Sequence, residues 1–257
     1  MKKLVVFGDS FVEGYTKAGK IENNFVKLLG DYLEVETINI GFRGHGNIAI
    51  SYDVLNYVRN FDTSDTVFLV VWSEWDRQYL INDSIAGQYD RFTYLAGIQA
   101  GNLNFSTELR DDGVKRWQSE MAYYGVCNVL READIPFLMI SSQCNQMLFD
   151  FRMVPKPSED GKGGILVPDS RPFKFIRSEK SLQEHWIEYP STNNTLFDII
   201  IDNWLNEKPR YYVLKISHVR SKQNRLNYDK MTIDLHPNEE GHKLIAKTLE
   251  PYIRRIL

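Results

Sequence analysis

"LVVFGDSFVEG", residues 4–14, is the stretch on which the reading of this chain turns. Leu4 to Phe7 make a short, β-branched apolar run closed by Gly8, the pattern of a buried strand. Asp9 and Ser10 then stand at the C-terminal end of that strand, where open α/β sheets bind their ligands. Two readings fit these residues. In one, Asp9 or Ser10 caps the following segment and Gly8 allows the turn. In the other, Ser10 is a nucleophile held at the strand end, with Asp9 positioning the loop through hydrogen bonds.

Working outward, strand-like and helix-like patterns alternate, as in a parallel sheet with crossover helices. After strand one (3–8), Ile21, Phe25, Leu28, Leu29 and Leu33 recur at helical spacing. "VETINI" (35–40) reads as strand two, followed by the glycine-rich turn "GFRGHGN" and a helix over 47–60. "DTVFLVVW" (65–72) is continuously apolar, as a central strand covered on both faces should be. A helix around 115–133 leads to a fourth strand at 135–142. Residues 143–190 carry prolines, glycines and scattered aromatics without a clear period, and the stretch 143–227 reads as a lid or insertion. Within it, 193–206 resumes a helical pattern and "YYVLKI" (211–216) is a candidate fifth strand. A final amphipathic helix closes a single domain spanning 1–257.

The chain has 257 residues, 43% hydrophobic and 25% charged, enough to bury a full core. A net charge of −3 offers no basic stripe for nucleic acid. No apolar run is long enough to span a bilayer, and too few apolar residues precede Asp9 for a secretory signal, so a cytoplasmic location is expected. Cys127 and Cys144 form no CxxC pair, and the histidines never fall at metal-ligand spacing, so neither a disulfide framework nor a metal site is expected. "GFRGHG" does not match the dinucleotide fingerprint.

The end of the chain supplies a partner for Ser10. In "DLHPNEEGH" (234–242), Asp234 and His236 are two apart, so an extended or turn-like backbone can aim both at one cleft. Pro237 keeps His236 out of the helix that follows. A serine activated by a histidine, with a carboxylate fixing the imidazole tautomer, is the logic of acyl transfer. Alone, D-x-H-P also fits a plain helix-entry loop.

With "FGDS" and "DLHP" together, the chain resembles the SGNH (GDSL) hydrolase family over 1–142 and about 228–257. The resemblance implies a flavodoxin-like three-layer α/β/α sandwich with a central parallel sheet and a serine esterase site at its C-terminal edge. It makes Ser10 the nucleophile, His236 the base and Asp234 the orienting carboxylate. It makes the backbone N–H groups of Ser10 and of Gly44, in "NIGFRGHGN", oxyanion donors; Gly44 also fits a turn position needing positive φ. After strand three the family shows G-x-N-D, whereas this chain reads "VVWSEWDR", with Glu74 at the asparagine position. A carboxylate there would repel an oxyanion. Ser73, Arg77 or Asn47 then stands as the alternative donor, or Glu74 is drawn aside by Arg77 or Arg43 or is simply exposed on the loop, or the site is not a competent esterase. His45, beside Gly44, reads equally as a site residue or a solvated one, and His242 as a helix-face residue.

The resulting expectation is an ester hydrolase or deacylase acting on a small-molecule or carbohydrate ester, without metal or organic cofactor. An acyltransferase using the same site, and a binding module on the same fold, stay open as alternatives.

Overall fold

The computed structural model describes residues 2–16, 18–73, 79–81, 92–94, 112–142, 153–157, 164–168, 180–187, 196, 199, 200, 232, 233 and 236–257. Among them the order is β1 (Lys3–Gly8), α1 (Ser10–Glu13), β2 (Tyr15–Thr16), β3 (Gly19–Lys20), α2 (Phe25–Leu33), β4 (Glu36–Gly41), α3 (Asn47–Asn60), β5 (Thr66–Trp72), β6 (Tyr79–Ile81), β7 (Phe92–Tyr94), α4 (Asp112–Glu132), β8 (Phe137–Ser141), β9 (Met153–Pro157), β10 (Gly164–Pro168), α5 (Lys180–Gln183), β11 (Thr232–Ile233), β12 (His236–Pro237) and α6 (Glu239–Arg254).

Four of these strands form a parallel sheet in the order β4-β1-β5-β8. In order of appearance among its members this is 2-1-3-4, the flavodoxin-like arrangement, whose ligand crevice lies where the order reverses, between β1 and β5. The parallel ladder runs in register from Lys3–Glu36 to Gly8–Gly41 on one side of β1 and from Lys3–Thr66 to Phe7–Val70 on the other. Every residue of β5 is buried, which explains its unbroken apolar run: helices cover both faces.

Strand alternation sorts the core into two halves. Leu4, Val6, Val67, Leu69 and Val71 face a layer that includes Phe25, Val26, Leu29 and Leu33 of α2 and Ile245, Leu249 and Ile253 of α6. Val5, Phe7, Phe68, Val70 and Trp72 face Ile50, Val54 and Tyr57 of α3 and Tyr123, Val126 and Leu130 of α4. Each such side chain contributes roughly 1.5–3 kcal/mol by leaving water. The parallel sheet with crossover helices read from the alternating pattern, and the sandwich that the resemblance implies, are the observed architecture.

Two boundaries differ from the sequence reading. The helix expected from Ile21 begins at Phe25, because the Asn24 side chain accepts from Lys27 N–H and caps it there. Part of the stretch expected as a lid belongs to the framework. Met139 of β8 pairs in parallel with Trp186, and Leu182, Trp186, Ile187, Leu196, Ile199 and Ile200 are buried in the two cores. The candidate strand 211–216 lies outside the described residues. No described helix is long and apolar enough to cross a membrane.

His242 docks the last helix. It is fully buried, and its Nδ1 accepts the N–H of Phe25, at 3.2 Å, one of the donors α2 leaves open at its start. Its ring stacks on Phe25 at 5.9 Å. With Nδ1 accepting, the neutral ring carries its proton on Nε2, which has no partner among the described residues. Burial, with a smaller contribution from the neighbouring His236, pushes the His242 pKa from 6.5 down to about 3. The unfolded chain takes up this proton near 6.5 and the folded chain only near 3, so stability falls as pH falls through that window. Between pH 7 and 5 this residue should remove about 2 kcal/mol. Urea unfolding at both pH values will show the loss in the wild type and a shallower dependence in His242→Gln.

Candidate active site

The site begins with a cap. Asp9 has extended backbone (φ −94°, ψ −154°) and its Oδ1 accepts the Phe11 N–H at 3.0 Å, which starts the single turn of α1. Gly14 ends that turn at φ 72°, donating its N–H to Ser10 O. The capping reading holds for Asp9, and Ser10 is the first helical residue behind it.

The other oxygen of Asp9 reaches across the sheet. Oδ2 accepts from Ser73 Oγ at 3.0 Å and from Ser142 Oγ at 2.8 Å, and all three residues are buried. Ser73 follows β5 and Ser142 follows β8, so one carboxylate ties together the ends of three adjacent parallel strands. Asp9 does position the loop through hydrogen bonds. Ser142 was missed in the sequence, although small polar residues ending strands one, three and four ("GDS", "VVWS", "MISS") were a visible signal.

Ser10 Oγ lies 2.9 Å from His236 Nε2, across 226 positions of sequence. His236 sits in the short β12, whose antiparallel pairing with β11 sets Ile233 opposite His236. Asn238 then caps α6 by accepting the Gly241 N–H. Phe11 packs its ring 5.6 Å from that of His236, on the apolar side of the pair. Asp234 lies outside the described residues.

The loop after β4 closes the other side. Gly41 touches α1 so closely that a Cβ there would strike Glu13 N and the Val12 backbone. Asn39 Nδ2 donates to Val12 O and its Oδ1 accepts from Gly41 N–H, stitching strand end to helix. Gly44 has φ 81°, a left-handed conformation that glycine adopts without strain. No described residue accepts the N–H of Ser10 or of Gly44.

The side-chain candidates for the third donor fare differently. Asn47 Oδ1 accepts the Ser73 N–H at 2.9 Å, which fixes the amide orientation, and its Nδ2 donates to Ser119 Oγ and Tyr123 OH. Both Asn47 hydrogens are thereby committed to α4. Ser73 is committed too, its N–H to Asn47 and its Oγ to Asp9. Neither side chain has a hydrogen left to donate to a substrate oxygen. Arg43 engages Glu13 and the face of Tyr15, its guanidinium carbon 3.8 Å from the ring centroid. His45 is largely covered, with Nδ1 3.0 Å from Asp53 Oδ2. Glu74 and Arg77 lie outside the described residues. Among the described residues no cluster of His, Cys, Asp and Glu is placed to hold a metal ion.

No family model matches this sequence, and no curated protein matches it. Among solved structures the chain is similar to a lipolytic protein of the G-D-S-L family from Veillonella parvula DSM 2008, at 14% identity over 99% of this chain and 100% of that one, with a TM-score of 0.41. It is similar to the psychrotrophic esterase EstA from Pseudoalteromonas sp., at 12% identity over 99% and 98% of the chains and a TM-score of 0.47. It is also similar to the aryl esterase of M. smegmatis, at 9% identity, full coverage of both chains and a TM-score of 0.46. These likenesses are weak, and the chemistry of this chain rests on its own side chains.

The strand-end knot makes a stability prediction. Asp9→Ala leaves two buried hydroxyls and an amide N–H without their acceptor and should cost about 2–4 kcal/mol, while Ser142→Ala should cost only about 1 kcal/mol. Urea unfolding midpoints of the two variants will rank them.

Proposed function

We propose that this chain is a serine ester hydrolase of the SGNH (GDSL) type. The observation that carries the reading is the 2.9 Å approach of Ser10 Oγ to His236 Nε2, at the crevice between β1 and β5. A serine hydroxyl is a weak nucleophile until a neighbouring base takes its proton, and this pair has the geometry for that transfer.

In this reading the Ser10 oxygen attacks an ester carbonyl while His236 Nε2 accepts the hydroxyl proton. The tetrahedral oxyanion is met by the N–H groups of Ser10 and Gly44. Collapse expels the alcohol, protonated by His236, and leaves an acyl group on Ser10. Water, deprotonated by His236, then releases the acid. Asp234, two residues before His236, orients the imidazole. With the hydrogens of Asn47 and Ser73 committed elsewhere, the two backbone donors carry the oxyanion, and Glu74 must leave that space to them. The substrate is a small-molecule ester, with short acyl groups such as acetyl included.

A short-chain aryl ester and a fluorophosphonate probe test this directly. Wild type should turn over the ester and carry the label on Ser10. Ser10→Ala should lose at least about 10³-fold in kcat with an unchanged urea midpoint. Wild-type turnover in Ser10→Ala, or labelling at another residue, would refute the assignment.

A further inference from the structure

Gly44 stands between two carboxylates. Residue 43, before it, has its backbone N–H accepted by Glu13 Oε2 at 2.7 Å. Residue 45, after it, has its ring Nδ1 3.0 Å from Asp53 Oδ2. Glu13 belongs to the same helical turn as Ser10, and Asp53 lies on α3. We infer that Glu13 and Asp53 are positioning residues that clamp the loop from both flanks and hold the Gly44 N–H in fixed relation to Ser10. This rests on the esterase reading for its consequence, though not for the clamp itself.

Two observations favour a clamp over ordinary surface ion pairs. The first is cover. The side chains of Glu13 and Asp53 are 20% and 18% exposed, whereas the acidic partners in the Lys3–Glu36, Lys180–Glu184 and Lys243–Glu240 pairs are 57–61% exposed, and Glu250, paired with Arg254 within α6, is 26% exposed. Exposed pairs of that kind contribute little. The second is the partner. Glu13 accepts a main-chain N–H, which fixes backbone, and the Arg43 side chain, its guanidinium carbon 3.8 Å from the Tyr15 ring centroid, lies 4.0 Å from the same carboxylate.

The loop needs such anchors. Among the described residues its main-chain bonds are Phe42 N–H to Gly8 O and His45 N–H to Phe42 O, each 3.1 Å. Glycine at φ 81° has no side chain to hold it there. An oxyanion donor is effective because it is already in place when charge develops, and small displacements forfeit much of that effect. Fixing the Gly44 loop to the turn bearing Ser10 holds the two proposed donors in one relation to each other.

The experiment uses the whole protein as wild type, Glu13→Ala, Glu13→Gln and Asp53→Ala. It reads aryl-ester kinetics and amide hydrogen exchange of segment 42–46. Glu13→Ala should lower kcat about tenfold with KM within about twofold, because the lost interaction acts on the transition state. It should also speed exchange in the segment. Glu13→Gln keeps an oxygen to accept the Arg43 N–H and should recover most of both effects. Asp53→Ala should act in the same direction, and decides the matter should Glu13→Ala not fold. Unchanged exchange and kcat in the alanine variants would overturn the clamp, as would a Glu13→Gln variant as impaired as Glu13→Ala. If wild type shows neither turnover nor labelling of Ser10, the esterase reading falls, and the exchange data alone decide the clamp.

Discussion

A single buried carboxylate organises this protein. Asp9 accepts hydrogen bonds from the Phe11 amide and from the hydroxyls of Ser73 and Ser142, and so joins the ends of β1, β5 and β8. Parallel strands all finish at the same edge, where chain turns away from the ladder and its polar groups need new partners. Three strand ends meeting in apolar surroundings would leave several buried donors without acceptors. One acidic side chain with two oxygens satisfies them, and by capping α1 it also determines where Ser10 stands.

From that anchor the site divides into a rigid part and a docked part. Ser10 is held by the strand end below it and by α1, which Asn39 and Gly41 of β4 approach at backbone contact. His236 comes from the far end of the chain and owes its place to α6, which packs on α2. His242 seals that contact by offering an imidazole nitrogen to the first amide of α2. The cost is a buried ring with an unpaired Nε2 among the described residues, and a pKa driven down to about 3. The same docking that brings His236 to Ser10 therefore makes the fold sensitive to acid.

Hydrogen-bond accounting also separates residues that look alike in sequence. Asn47 and Ser73 both stand at the right edge of the sheet and both carry donors. Each spends them on the scaffold: Asn47 links the end of β5 to α4, and Ser73 links Asn47 to Asp9. The N–H groups of Ser10 and Gly44 are different because α1 begins at Ser10 and the loop turns at Gly44, so neither amide lies within a ladder. Both are therefore available for the oxyanion role proposed for them.

The sequence by itself determined the alternation of strands and helices, the central position of β5, the strand-end placement of Ser10 and the extended entry of His236 before the last helix. Those features are local: a period of two or of 3.6, a run of β-branched residues, a proline after histidine. Only the tertiary structure decided what each polar group does. It buried His242, expected on a helix face, against a residue 217 positions away. It joined Glu13 to Arg43 and drew His45 to Asp53, pairings that nothing in the sequence pattern marks. It also set Leu182, Trp186 and Ile187, expected within a lid, into the core beside β8. The physical reason is that burial and hydrogen-bond choice depend on which surfaces meet after the helices pack, and no local period records the partner a side chain will find across the sheet.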